Sequence, residues 1–281
     1  MTGRPGVTIV IVSFNVREHL ARCLQSLTNA PPTAPHEVIV VDNASGDGTV
    51  AMVRERWPSI RVVALDHNVG FAAANNVGIR ETRAGGSPLL LLLNCDTIVP
   101  SGAVDRLIDR LVATPGAAVA GPRLVDTVGV RELSWGQMLT PWVELRQKLV
   151  VDLHQRGTGL ARRIVQRRTE RERLVDWVSG ACLLVWRADA EAAGLLDERY
   201  FMYLEDVDFC AAHRARGRAI LFTPVAEVVH ARGRSRAGSP GTVEAAYRRS
   251  QLAFYAKHLP RWRPWLHRYL RIRGKLDARD S

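Results

Sequence analysis

The sequence predicts an α/β protein with a mostly parallel central sheet and helices on both faces. Three observations carry this. Short aliphatic runs recur at residues 8–12, 37–41, 60–65 and 89–93. Segments of about 12 residues with helical spacing separate them. The run at 89–93 is all leucine, too apolar to leave one face in water. Strands buried on both faces belong to parallel sheets, whose crossovers are helices.

The elements follow in order. Residues 8–12 form the first strand and 16–27 the helix after it. Residues 37–41 form the second strand, ending at Asp42. Residues 44–57 open with turn chemistry (Ser45, Gly46, Asp47, Gly48) and then turn helical. A third strand spans 60–65, a helix 71–83 and the fourth strand 89–93. Beyond it the pattern is less regular. A helix is expected at 101–113 with Ser101 as its cap, then a short strand at 117–120. Residues 142–173 are rich in Lys and Arg with scattered Leu, Ile and Val, and their periodicity assigns no structure. A strand is expected at 178–186, a helix at 207–216, short strands at 219–222 and 227–230, and a helix at 242–258. Residues 232–241 read as a flexible basic loop. The expected division is one domain over 1–240 and a basic, aromatic helical extension over 241–281.

A chain of 281 residues holds one large α/β domain or two small ones. Its 39 Lys and Arg exceed 28 Asp and Glu, a net charge of +11. That excess favours an anionic partner: nucleic acid, an acidic membrane surface or a phosphorylated substrate. The four cysteines are scattered without C-x-x-C spacing, which argues against a disulfide framework or structural zinc. The apolar run at 7–12 is too short for a signal peptide, and no run approaches the roughly 20 residues of a spanning helix. The expectation is a cytoplasmic protein.

Chemistry is concentrated at strand ends and one helix start. Asp42 ends a strand and enters a turn of small residues; it can accept from a nucleotide base, or simply cap the turn. Residues 66–80 are rich in Gly, Asn and Ala, suiting close approach to the sheet or to a ligand. Asn94 and Asp96 lie two apart just beyond the leucine run, so in an extended segment they face one side. Such hard oxygens can hold Mg²⁺ or Mn²⁺ on a substrate phosphate, or they can form a turn. Glu205, Asp206 and Asp208 precede a helix, where acids favour the helix dipole by roughly 0.3–1 kcal/mol each. Their crowding behind Tyr200, Phe201 and Tyr203 also raises a carboxylate toward a base's range. His230 is a candidate metal ligand or a structural histidine. Trp177 is a candidate sugar platform or a core residue. No Gly-x-Gly-x-x-Gly or Walker sequence occurs, excluding the usual dinucleotide and P-loop signatures.

Taken together, the motifs resemble family 2 glycosyltransferases of the GT-A fold, most closely their bacterial rhamnosyltransferase-like branch. The matching segments are TIVIVSFN at 8–15, VIVVDNAS at 38–45, NVGFAAANN at 68–76 and LLNCDT at 92–97. SGA at 179–181, EDVDF at 205–209 and VVH at 228–230 complete the set. The resemblance implies donor contacts at Ser13, Phe14, Asn15, Asp42, Asn68, Gly70, Asn75, Asn94, Cys95 and Asp96. It implies a metal on Asp96 and His230, Asp206 as catalytic base, and acceptor contacts at Gly180 and Glu205 beside Trp177. Asn94 departs from the family, which often has Asp there, so the donor pyrophosphate is expected to complete the metal site. The implied reaction is inverting sugar transfer, with rhamnose a candidate, from a dTDP- or UDP-linked donor to a glycan or polyprenyl-linked acceptor in envelope polysaccharide synthesis.

Residues 261–275 combine Arg with Trp265, Leu266, Tyr269 and Leu270 at helical spacing. That composition fits either an interfacial helix on the inner face of a membrane or a docked C-terminal helix. Two rival functions remain at this point. A nucleic-acid-binding protein accounts for the charge but leaves Asp96 and Asp206 without a role, and no reader motif is present. A nucleotidyltransferase on a related fold would carry a Gly-rich phosphate loop after the first strand, which residues 13–22 do not form.

Overall fold

The computed structural model describes residues 3–82, 86–231 and 240–275. The chain begins β1 (Val7–Ser13), α1 (Arg17–Asn29), β2 (His36–Asp42), α2 (Thr49–Arg56), β3 (Arg61–Ala64) and α3 (Phe71–Arg80). It continues through β4 (Leu89–Asn94), β5 (Thr97–Ile98), α4 (Ala103–Val112), β6 (Ala117–Val125) and β7 (Trp135–Gly136). Two helices follow, α5 (Pro141–Gln155) and α6 (Gly159–Arg168), then β8 (Arg173–Val175), β9 (Trp177–Val178) and β10 (Cys182–Trp186). The last elements are α7 (Arg187–Ala192), α8 (Glu205–Ala215), β11 (Ala219–His230), α9 (Pro240–His258) and α10 (Arg263–Ile272).

The leucine run is the middle of the molecule. All five leucines of β4 are buried, on both faces of the sheet. Strand order is β3-β2-β1-β4-β10-β6-β11-β5, with β8 also paired to β11. β1, β2, β3 and β4 pair in parallel, and β11 lies parallel to β6. β10, β5 and β8 run against their neighbours, so the sheet is mostly parallel. Helices close both faces: α1 buries Leu20, Leu24 and Leu27 on one side, α3 buries Ala72 and Ala74 on the other.

The order of the first four strands matters most. The chain leaves β1 toward β2 and β3, then returns to pair β4 on β1's other edge. Such a reversal opens a crevice beyond the carboxyl ends of the strands, where open α/β sheets bind ligands. Register aligns the ends: Ser13 stands opposite Asp42, and Val12 opposite Asn94.

Several expected elements differ. The helix expected from Ser101 starts at Ala103, and Gly102 caps it in a left-handed conformation (φ 70°), so Ser101 is not the cap. The expected strand at 178–186 is broken into β9 and β10 by Ser179, Gly180 and Ala181. The two short strands expected at 219–230 are one strand, β11, whose register against β6 shifts between Thr223 and Glu227, around Pro224. Proline cannot donate to the ladder, and an irregularity absorbs it. The unassigned 142–173 stretch holds α5 and α6. Most of the basic loop expected at 232–241 lies outside the described residues.

Residues 66–80, rich in small side chains, serve the sheet. A Cβ on Gly78 of α3 would lie 2.4 Å from a Val10 methyl and 3.0 Å from a Val41 methyl. Gly78→Ala is therefore expected to destabilise the protein by about 1–3 kcal/mol through overpacking, despite alanine's advantage of about 1 kcal/mol in a free helix. Chemical denaturation of both proteins checks this.

Candidate active site

The crevice beyond β1 and β4 is a cavity of about 270 Å³. Phe14, Asn43, Asn68, Gly70, Asn94, Cys95, Asp96, Gly180, Glu205, Asp206 and His230 are among the residues that line it. Most expected residues thus converge, though they come from segments nearly two hundred residues apart.

Asp96 and His230 meet through strand register. β5 pairs antiparallel with the end of β11, placing His230 opposite Thr97. The Ala231 N–H donates to the Asp96 carbonyl at 2.8 Å, fixing the junction. His230 Nε2 then lies 3.4 Å from Asp96 Oδ1. Its Nδ1 lies 3.2 Å from Glu132 Oε2. Burial alone would lower the imidazole pKa, but hydrogen bonds to Asp96 and Glu132 outweigh it and push it up to about 9. An imidazolium held between two carboxylates results at neutral pH.

Asp206 and Glu205 arrive by a strained turn. Tyr203 and Leu204 both adopt left-handed backbone conformations (φ 72° and 67°), and Leu204 is the N-cap of α8. Non-glycine residues held there cost roughly 1–3 kcal/mol each and cluster at functional sites. The turn rotates the first two helical residues into the cleft. Asp206 Oδ2 accepts the Gly180 N–H at 2.8 Å, and Oδ1 accepts the Val207 N–H at 2.8 Å. Glu205 is buried, with Oε2 lacking any partner. Burial and the neighbouring Asp206 charge push Glu205 up to about 8. Burial also raises Asp206, opposed by its backbone donors. With N–H groups on both its oxygens Asp206 carries the negative charge, and Glu205 keeps the proton.

The loops after β1 and β2 and the one before α3 interlock. Ser13 Oγ donates to Asp42 Oδ1 at 3.1 Å, and Asp42 Oδ2 accepts the Ser45 N–H at 2.8 Å. Asn15 Oδ1 accepts the Gly46 N–H. Asn43 Nδ2 donates to Asn68 Oδ1 at 2.8 Å and Asn43 Oδ1 accepts the Val69 N–H. Gly70 (φ 89°) has no room for a side chain, because a Cβ would sit 2.6 Å from the Phe201 carbonyl oxygen. This contact joins the donor loop to the segment that carries Asp206.

Other expected residues stay out of the lining. Ser13, Asn15 and Asp42 shape the loops from behind. Asn75 is buried and bonds the Phe71 carbonyl within α3. Trp177 is buried, and its indole N–H donates to the Gln137 carbonyl at 3.0 Å, so it packs as a core residue. Asp208 turns away from the cleft to accept from Tyr200, Lys257 and His258, binding α9 to α8. Conversely, Glu132, Asn43 and Tyr203 reach the site region unannounced. Glu132 is a lone acid in an irregular stretch, and only the fold brings it to His230.

A second cavity adjoins the first across Asn94, Asp96, Ser179, Tyr203 and His230. Its outer wall comes from α5 and α6, including Val151, His154 and Arg162. One route thus runs from the first cavity past Asp96 to the helical side of the molecule.

Comparison with known proteins bears on this geometry. Residues 8–169, more than half the chain, match the family model described as Glycosyl transferase family 2. The N-acetylglucosaminyl-diphospho-decaprenol L-rhamnosyltransferase of Mycobacterium tuberculosis is 32% identical over 97% of this chain and 93% of its own length. The O-antigen biosynthesis protein RfbC of Myxococcus xanthus is 28% identical over 94% of this chain, but only 20% of RfbC is covered. Among solved structures, the mannosyltransferase PcManGT of Pyrobaculum calidifontis, in complex with GDP-Man and Mn²⁺, superposes with a TM-score of 0.62. It is 18% identical, over 95% of this chain and 69% of that one. GalNAc-T7 with UDP, GalNAc and Mn²⁺ gives a TM-score of 0.60 at 16% identity, over 82% of this chain and 44% of that one. At these identities the structures establish the GT-A fold alone.

Glu205 makes the site's pH dependence testable. Its folded pKa of about 8 lies above the ordinary 4.5, so the protein loses stability from this group as pH rises between those values. Glu205→Gln removes the titration. Its melting temperature is expected to match or trail the wild type near pH 4 and to gain on it progressively toward pH 8. A pair of thermal unfolding series across that range checks it.

Proposed function

The chain belongs to glycosyl transferase family 2, and from that premise we propose that it is an inverting, metal-assisted transferase moving a sugar from a nucleoside diphosphate to a lipid-linked acceptor. The convergence of Asp96, His230 and Asp206 on one cleft carries the reading. The near full-length similarity to a rhamnosyltransferase whose name specifies an N-acetylglucosaminyl-diphospho-decaprenol supports rhamnose as the transferred sugar and a polyprenyl diphosphate as the carrier of the acceptor. Donor base, dTDP or UDP, follows no single residue.

The donor set fits a divalent ion. Asp96 would supply a carboxylate and His230, on giving up its Nε2 proton to solvent, a neutral imidazole, while the buried Asn94 Oδ1 has no partner. Among the described residues no group of three or more His, Cys, Asp and Glu is arranged to hold a metal ion by itself. Donor phosphates and water would supply the rest, as is common for Mg²⁺. When bound, such an ion provides positive charge for the departing diphosphate. Glu132 on Nδ1 orients the ring so that Nε2 faces Asp96, the outer-shell arrangement that typically sets metal affinity.

The chain's own residues do the remainder. Asp206, ionised and held by the Gly180 and Val207 amides, takes the proton of the acceptor hydroxyl. The acceptor oxygen bonds to the anomeric carbon as the bond to the diphosphate oxygen breaks on the opposite face, inverting configuration. Protonated Glu205 keeps a second negative charge away from the incoming diphosphate. Phe14, at the crevice mouth, offers a ring to the nucleotide, and Asn43, Asn68 and Gly70 wall the pocket beneath it.

General-base assistance is typically worth 10²–10⁴-fold. Asp206→Asn is accordingly expected to lower turnover by about that factor while nucleotide affinity holds. Turnover near wild type, or a product of retained anomeric configuration by NMR, would sink the base assignment.

Mn²⁺ affinity, measured by calorimetry with nucleoside diphosphate present, tests the other end of the cleft. His230→Ala should lose most of it. Glu132→Gln should weaken it by about 10–100-fold, and unchanged affinity would reduce Glu132 to a packing role.

A further inference from the structure

Helix α5 has two contrasting faces. Val151 and His154 line the second cavity. Glu144, near the start of the helix, accepts from Tyr247, Gln251 and Tyr255 of α9. These contacts hold the helix from its inner side, yet none of its residues is buried. The outer face carries Trp142, Leu145, Leu149 and Leu153, which are 72, 62, 57 and 36% exposed. Their spacing of three, then four, then four residues places all of them on one stripe. Leu160 at the start of α6 extends the apolar edge and is itself exposed.

The cations near the stripe stand mainly on the next segment. α5 itself is balanced, Arg146 and Lys148 against Glu144 and Asp152, while Arg156 and the α6 residues Arg162, Arg163, Arg167 and Arg168 follow with no acid. A helix with an apolar stripe bordered by cations lies in the headgroup layer of an anionic bilayer, its leucines in the acyl boundary and its cations among phosphates. α10 repeats the design: Trp262, Trp265, Tyr269 and Ile272 are exposed at helical spacing, and the helix contains no acid. No helix among the described residues is long and apolar enough to cross a membrane.

We propose that α5 docks on an anionic phospholipid surface through its outer stripe, and that this sets the second cavity against the bilayer that delivers the acceptor. One helix then serves both purposes: its outer leucines hold the membrane and its inner residues wall the path to Asp96 and Asp206. The proposal rests on the reading of a lipid-linked acceptor.

The test is co-sedimentation of the full chain with phosphatidylcholine vesicles, with and without phosphatidylglycerol. The wild type should bind the anionic vesicles, and the double variant Leu145→Glu, Leu149→Glu should bind them about tenfold or more weakly. Both sites are exposed, so circular dichroism, Mn²⁺–nucleotide affinity and transfer to a water-soluble, short-chain acceptor should stay as in the wild type. Transfer to a vesicle-borne acceptor should fall with vesicle binding. Equal vesicle binding by the double variant overturns the proposal. A wild type that ignores anionic vesicles overturns it too, as does a self-association that the double variant dissolves. Failure of the wild type to transfer sugar to the soluble acceptor would strike the functional reading instead.

Discussion

The contact on which the cleft depends is the imidazole of His230 clasped between Asp96 and Glu132. It joins three segments that share no local sequence: the end of β4, the irregular stretch after β6, and the end of β11. A lone buried carboxylate would be driven toward its neutral form; two of them around one imidazole hold it as a cation instead. Strand pairing makes the contact reproducible, since a one-residue slip of β11 against β5 would turn His230 to the other face. The register irregularity around Pro224 sits upstream in the same strand; beyond it β11 stays on β6 as far as Val229 and pairs β5 on its other edge at Val229 and His230.

The opposite wall solves a different electrostatic problem. Asp206 and Glu205 are adjacent acids at one helix start, and two buried negative charges so close cannot both persist. The fold separates their roles by hydrogen bonding. Backbone amides from Gly180 and Val207 stabilise one as the anion, while the other, with an oxygen left unpartnered, retains its proton. Gly180 takes part because Ser179, Gly180 and Ala181 interrupt the edge of β10, freeing an N–H that a continuous ladder would have used. Strain at Tyr203 and Leu204 aims the pair, and the close approach of Gly70 to Phe201 ties that strained segment to the donor loop.

How much of this was legible in the sequence depends on where the apolar residues point. β1, β2, β4 and α1 could be read because every apolar side chain in them faces the core, so periodicity and burial agree. α5 defeated the same reasoning, since its leucines face outward and its inner face is mixed. Asp206, Asp96 and His230 stood out through motif resemblance. Glu132 could not, because its importance comes from a tertiary neighbour rather than from any spacing. Trp177 and Asp208 had the right residue types, but packing against Gln137 and against α9 gave them structural work. Ser101 looked like a cap and yielded to Gly102, whose left-handed backbone ends the preceding turn.

The chain's charge of +11 admitted nucleic acid, membrane or phosphate as partner, and its placement separates them. No Lys or Arg lines the nucleotide crevice among the described residues; its charged groups are Asp96, Glu205, Asp206 and His230. A diphosphate entering there meets carboxylates at close range, where the field is scarcely screened. Protonating Glu205 removes one such charge, and His230 offsets another. What remains opposes a polyanion, and a divalent cation entering with it would offset that charge. Outside the crevice, α6 carries four Arg and α10 three with no acid, while α5 is balanced, Arg146 and Lys148 against Glu144 and Asp152. That distribution suits a substrate tethered to an anionic surface, and among the described residues His230 is the one basic group lining the crevice.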